Sequence, residues 1–298
     1  MALSSNLRGA LFMAISMAGF TINDTFVKLA SAELNAGQIM FVRGFMASVM
    51  IFLLCWKTGD LRPPRLLLNR AVLGRSIGEM LATVTFLTGL AHMPIGNASA
   101  ILQALPLAVT MAAALVLGEP VGWRRWAAII AGFIGVMIIV RPGAEGFNGW
   151  SLMILACVFF AAGRDIFTKS APAEIPSAFI SLSTSTLITI TGLALIVPFG
   201  GWAPLSLKMV AWLAAAAFFI LFGYLYVIKS MRTGEVGFIA PFRYTSLLWA
   251  LALGFLVFGD VPDFWMIIGA TIVVASGVYT FHRERIRAKT GATQEIRP

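Results

Sequence analysis

Seven ionisable residues interrupt apolar runs of this chain: Asp24, Arg43, Arg75, Glu79, Arg164, Asp165 and Arg243. A charge at the centre of a membrane helix costs about 3 kcal/mol on insertion scales, so each needs a partner or a task. The chemistry open to such groups is ion pairing, proton exchange or capture of a charged ligand. Asp24 and Arg43 fall at similar depth, about 8–9 Å from the same ends of successive runs. They read as an ion pair, either a structural pin or part of a gate. Arg75 and Glu79 are four apart and share a helical face. Glu79 lies about 15 Å from the end of its run, near the midplane of a ~30 Å hydrocarbon core. Its carboxyl is the coupling candidate, and an internal salt bridge to Arg75 is the plainer reading. Asp165 and Arg243 are expected to pair toward the opposite side, mirroring Asp24 and Arg43. Four arginines then face three carboxylates, a surplus that suits a substrate with an anionic group.

The cavity-lining candidates are Glu79, Gln103, Tyr224, Tyr244, Trp249 and Arg243. Gln103 and Tyr244 flank Pro106 and Pro241, and a proline inside a span kinks it and frees a carbonyl. Tyr224, Tyr226, Phe242 and Trp249 offer aromatic surface, although aromatic residues in membrane helices also serve as packing and interface anchors. Hydroxyls crowd the run from Ser181 to Thr191 and read as packing beside a wet cavity. Gly132, Gly135, Gly269 and Gly277 read as close-packing positions. Glu119 and Asp260 read as caps of the helices that follow them.

These residues must be held by spanning helices. The chain has 298 residues, 59% hydrophobic and 12% charged, with mean hydropathy +0.89. A soluble domain carries about 25% charged residues, so a polytopic membrane protein is the class. Ten spans are predicted at 7–29, 37–56, 69–91, 97–117, 124–140, 150–170, 176–199, 207–229, 236–258 and 263–281. The tail from His282 is basic and expected to fray. No cleavable signal peptide is expected. Cys55 and Cys157 lie in apolar runs at different depths and are not expected to pair. The net charge of +9 is not a nucleic-acid patch, because the basic residues fall between the apolar runs. With the N-terminus inside, fifteen Lys and Arg lie on the inner side and three on the outer. That bias places both termini in the cytoplasm of an inner-membrane protein.

The halves are related. Asp24-Thr25-Phe26-Val27-Lys28-Leu29-Ala30-Ser31-Ala32-Glu33 recurs 141 positions later as Asp165-Ile166-Phe167-Thr168-Lys169-Ser170-Ala171-Pro172-Ala173-Glu174. The same offset lays Leu115-Val116-Leu117-Gly118-Glu119 on Leu256-Val257-Phe258-Gly259-Asp260. Five spans per repeat is an odd number, so the second repeat crosses in the opposite sense. Inverted repeats of this kind build many secondary transporters, with the site at their interface. The expected fold is all-α, with ten transmembrane helices in two inverted five-helix repeats. Residues 1–141 form the first, 142–281 the second, and 282–298 the tail.

Two five-helix repeats, each with a Gly-acid turn after its fourth helix (Gly118-Glu119 and Gly259-Asp260), resemble the EamA-type branch of the drug/metabolite transporter superfamily. The fourth-helix segments Ala98-Ser99-Ala100-Ile101-Leu102-Gln103-Ala104-Leu105-Pro106 and Ala240-Pro241-Phe242-Arg243-Tyr244-Thr245-Ser246 carry the same likeness. One departure is that Asn23-Asp24 opens the first repeat and Arg164-Asp165 the second, which makes the site electrically asymmetric. The resemblance implies a secondary-active exporter of small metabolites, with amino acids or related amphiphiles first. A multidrug or aromatic-compound exporter and a passive facilitator are the alternatives. No HExxH, GxSxG or Walker A pattern is present, so neither an enzyme nor an ATPase is expected. No cofactor or metal site is expected. The partners are a small-molecule substrate, the lipid bilayer and, in prospect, a second copy of the chain.

Overall fold

The computed structural model describes residues 5–116, 118, 122–141, 148–172, 174–233 and 240–295. Among them the order is α1 Ser5–Ala30, α2 Ala36–Thr58, α3 Arg70–Ala91, α4 Ile95–Leu102, α5 Leu105–Val116, α6 Trp123–Val140, α7 Ser151–Lys169, α8 Ser177–Leu195, α9 Leu207–Thr233, α10 Thr245–Leu253 and α11 Phe264–Glu295. Within the described residues each predicted span is matched within a few residues, except that the last helix runs on to Glu295. Six helical stretches are long and apolar enough to cross a bilayer: α1, α2, α4 with α5, α7, α8 and α9. Three shorter apolar helices and the charged α3 complete ten. The chain is an all-α, multi-pass membrane protein.

Local chemistry sets the helix ends. Asn35 caps α2 by accepting from the Gln38 N–H, and Asn69 caps α3 by accepting from the Ala71 N–H, each satisfying an orphan donor. Gly59 closes α2 at φ 71°, the left-handed conformation that glycine adopts without a Cβ clash. The fourth span breaks between Leu102 and Leu105. Pro106 lacks an N–H and crowds the carbonyl four residues back, so one helix cannot run through. Its counterpart opens with a 3₁₀ turn, Ala240–Tyr244, that contains Pro241, and α10 then ends in a π turn, Gly254–Phe258.

Two expectations are corrected here. Asp260 does not cap α11. Asp263 does, accepting from the Met266 N–H at 2.7 Å and bonding Arg141 at the end of α6. Burial acts to raise the Asp263 carboxyl, but the Met266 N–H and Arg141 outweigh it and hold the group below its ordinary range. Asp260 belongs to the turn that closes the preceding span, where Gly259 has φ 71° and the Asp260 N–H donates to the Gly254 carbonyl. Glu119, its equivalent, lies outside the described residues. The tail is helical to Glu295, an extension of α11. Its Arg, Lys, Ala and Glu residues are good helix formers, which opposes fraying.

The packing follows the repeat. α1 lies on α9 and α3 on α7, and each of these pairs becomes the other when the halves are exchanged. α2 on α8 and α6 on α11 map onto themselves. A two-fold operation leaves points on its axis in place, so residues there must touch their own equivalents. Ser48 Oγ and Thr189 Oγ1, 141 positions apart, are 3.3 Å apart. Ser185 Oγ donates to the Gly44 carbonyl at 3.4 Å, again across 141 positions. The pseudo-axis therefore runs between α2 and α8. For an inverted repeat it lies in the membrane plane, which puts these residues near the midplane. Outward, Phe45, Ile130, Ile190, Leu193, Leu248 and Phe255 form an apolar surface that only a bilayer would solvate.

The α6–α11 contact is made by small residues. A Cβ on Gly135 would stand 2.8 Å from the Gly269 carbonyl oxygen, and one on Gly269 would stand 2.6 Å from that of Gly135. Close backbone approach of this kind is how membrane helices gain packing energy where lipid supplies no hydrophobic drive. Gly135→Val should lower stability by about 1–3 kcal/mol, as overpacking does. Gly163→Ala, with nothing within 4 Å of the added carbon, should leave stability unchanged or slightly raised. Thermal unfolding in detergent checks both.

Candidate functional site

The axis places charges of both repeats together. Glu79, on α3, pairs with Arg164 on α7, with Nη1 and Oε2 2.7 Å apart. The two helices come close because Gly78 has no side chain: a Cβ there would stand 3.1 Å from the Arg164 Cα. The Tyr224 hydroxyl, from α9, donates to Glu79 Oε1 at 3.3 Å. Arg164 continues to its neighbour, with Nε and Nη2 each 2.8 Å from Asp165 Oδ1. Arg243 Nη1 is 4.0 Å from Asp165 Oδ2. Glu79, Arg164, Asp165 and Arg243 thus form one chain of alternating charge from α3 through α7 to the turn before α10. The expected Arg75–Glu79 bridge is not made. Arg75 Nη1 instead donates to Thr184 Oγ1 on α8 at 2.6 Å.

The expected Asp24–Arg43 pair is indirect. Arg43 Nη1 donates to Asn23 Oδ1 at 3.0 Å, and Asn23 Nδ2 donates to Asp24 Oδ1 at 2.9 Å. A neutral amide thus stands between the two charges. Arg164 is the equivalent of Asn23 at the 141-residue offset, so in both repeats the residue before the aspartate forms the bridge. The sequence signal was the Asn-Asp versus Arg-Asp departure.

A cavity of about 20 Å³, room for about one water, lies on the axis beside these groups. Arg43, Arg75, Thr184, Ser185, Ile220 and Tyr224 line it. Of the sequence-predicted residues, Arg43, Arg75 and Tyr224 line this cavity, and Tyr224 donates to Glu79, which does not line it. Gln103 donates to the Ser246 hydroxyl at 2.9 Å, joining the broken fourth span to α10. Tyr244 is 7% exposed, and its hydroxyl is buried against Gly277 with no hydrogen-bond partner among the described residues. Arg243 Nε is buried and likewise without a partner. Trp249 is 43% exposed on the outer face of the bundle and does not line the cavity. Aromatic anchors commonly stand on such a surface.

Lys28 is a functional-site candidate that sequence reasoning missed, although it belongs to the recurring segment. Its Nζ donates to the carbonyls of Met93 at 2.5 Å and Leu90 at 3.3 Å, and it lies 5.4 Å from the centroid of Phe258. An ammonium there satisfies carbonyls at the C-terminal end of α3 and faces a ring of the ninth span. Among the described residues no group of acidic, histidine and cysteine side chains could hold a metal. Cys55 and Cys157 are free and buried.

Removing one partner of a buried pair leaves an uncompensated charge, at a cost of about 3–5 kcal/mol. Arg164→Gln should therefore destabilise strongly. Glu79→Gln in the same chain should recover part of the loss, with a coupling of about 1–3 kcal/mol in a double-mutant cycle. Unfolding midpoints of the two single variants and the double variant in detergent measure it. Strictly additive effects would mean that the two side chains are not coupled.

The EamA-like transporter family model matches residues 7–141 and again 148–281. The S-adenosylmethionine uptake transporter of Rickettsia prowazekii is 25% identical over 290 residues, covering 95% of this chain and 96% of that protein. The riboflavin transporter of Vibrio cholerae is 29% identical over 275 residues, covering 91% of each. The pseudopaline exporter CntI of Pseudomonas aeruginosa is 25% identical over 277 residues, covering 90% of this chain and 94% of that protein. A crystal structure superposes with a TM-score of 0.56 at 16% identity, covering 91% of this chain and 98% of the other, a likeness of fold. Two matches of one family model account for nearly all of the chain, one in each of the halves that the offset of 141 relates. The chain is a transporter of the EamA-like family.

Proposed function

We propose that this transporter is a secondary-active carrier that exports small amphiphilic metabolites, amino acids and their derivatives first. It works by alternating access around the cavity on the repeat axis. The observation that carries this reading is where the buried polar contacts lie. Arg75 to Thr184, Glu79 to Arg164, Tyr224 to Glu79, Gln103 to Ser246 and Ser48 to Ser185 all run from one repeat to the other. These are the contacts that rocking one repeat against the other would break and remake. A static pore has no need to concentrate its polar bonds across that interface.

The lipid-facing surface and the excess of basic residues on one side support a plasma-membrane protein with both termini cytoplasmic. In that orientation the Lys28 contacts stand at the outer end of the bundle and Asp165 with Arg243 toward the inner. Export is proposed on the likeness to the pseudopaline exporter. The likeness to S-adenosylmethionine uptake transporters favours the opposite direction, so the assay must read both. A carboxylate-bearing substrate accords with the arginine surplus. Glu79 is the coupling residue of this reading.

Reconstituted protein should show saturable counterflow of labelled amino acids from a panel including Phe, Trp, Thr and Met. Cells expressing it should lower their internal pool of the same compounds. Glu79→Gln should abolish accumulation against a gradient under a pH difference while sparing counterflow. Uphill transport by Glu79→Gln would remove that residue from coupling. Flux of bulky aromatic dyes with no amino-acid counterflow would move the reading to a multidrug exporter.

A further inference from the structure

We propose that Arg43 and Arg75 form a carboxylate subsite on the repeat axis, and that the substrates are small monocarboxylates with an apolar body. The inference rests on the carrier reading and names its substrate chemistry. Arg43 and Arg75 line the same cavity. Arg43 is only 5% exposed, and its hydrogen bond goes to the neutral Asn23 amide. Arg75 donates to a neutral hydroxyl, Thr184. Neither has a carboxylate within 4 Å among the described residues, whereas the nearby acids are already engaged. Glu79 is held by Arg164 and Tyr224 and Asp165 by Arg164 and Arg243, while Asp24 reaches Arg43 only through the neutral Asn23 amide.

Two positive charges with neutral ligands in a low-dielectric setting call for a mobile anion. The planar fork of a guanidinium matches the two oxygens of a carboxylate. Thr184, Ser185 and Tyr224 border the same space; their hydroxyls donate to the Ile180 carbonyl, the Gly44 carbonyl and Glu79, and each would turn from that acceptor to donate to an anion. Ile51, Ile188 and Ile220 form its apolar wall, which suits the hydrocarbon part of an amphiphile. The repeat makes the site directional, because Arg43 corresponds to Thr184 and Arg75 to Ala216 at the offset of 141. The first repeat supplies both charges, the second supplies the hydroxyl-bearing residues, and both supply alkyl surface. A cavity of about 20 Å³ is smaller than such a substrate, so entry requires the helices to part.

The test is thermal unfolding of the full chain in detergent at constant ionic strength, titrated with 3-phenylpropionate and, separately, with its uncharged isostere 3-phenylpropanamide. The acid should raise the unfolding midpoint of the wild type, and the amide should not. Arg75→Gln and Arg43→Gln should each weaken the acid's effect by about 10- to 100-fold in concentration. Arg75→Lys should fall between Arg75→Gln and the wild type. The wild-type comparison of acid with amide needs no variant to fold. Equal shifts by acid and amide, no shift by either, or an unchanged acid response in both glutamine variants would overturn the subsite. A carboxylate shift without amino-acid counterflow would keep the subsite and remove amino acids as substrates. Counterflow that treats acids and amides alike would remove the subsite and keep the carrier.

Discussion

An ion pair between Glu79 and Arg164 joins the two repeats where an unpaired charge would be most costly. Neither residue can stay ionised in that setting without the other or an equivalent partner. The pair therefore fixes how α3 lies on α7, and Gly78 clears the space for it. The remaining charges are placed relative to this contact. Asp165 takes the other side of Arg164, Arg243 takes the other oxygen of Asp165, and Tyr224 brings α9 to Glu79.

The inverted repeat gives every contact an equivalent place, and the two places are filled differently. Arg164 against Glu79 corresponds to Asn23 against Ile220 at the offset of 141. A charged pair on one side of the axis has an amide and an isoleucine on the other. Near-symmetry of the backbone supplies two similar packings for the halves, and asymmetry of the side chains makes them unequal in energy. A carrier needs two states a few kcal/mol apart, with a ligand that shifts the balance. Breaking the Glu79–Arg164 bond is costly unless a substrate or proton compensates. That links the stability of the bundle to the coupling proposed for Glu79.

The fold was legible because hydropathy, breaks and an offset of 141 are properties of the chain itself. Asn35 and Gly59 mark the ends of α2, and Pro106 marks the break in the fourth span. The choice of partners was less legible. Spacing of four puts Arg75 and Glu79 on one face, but the neighbouring helix offers each a better partner, Thr184 and Arg164. Helix periodicity says nothing of which helices meet, and here Gly78, the residue before Glu79, decided it as much as any charge. Trp249 was misplaced because its helix is apolar on every side, so no polar face marks which residues turn inward. Asp260 and Asp263 both precede α11, and only the one adjacent to Phe264 can reach its first free N–H groups. Asn23 became meaningful only against its equivalent, Arg164.

The central claim is that the cavity on the repeat axis opens in turn to the two sides of the membrane. Ala47 lines that cavity, is buried and carries no polar group. Ala47→Cys, in a chain with Cys55 and Cys157 replaced by serine, gives a single thiol there. The direct measurement is its labelling rate by a membrane-impermeant maleimide in right-side-out and inside-out vesicles. The account predicts labelling from both sides, with a transported substrate changing the two rates in opposite directions. Labelling from one side only, or substrate effects of the same sign on both sides, would contradict it.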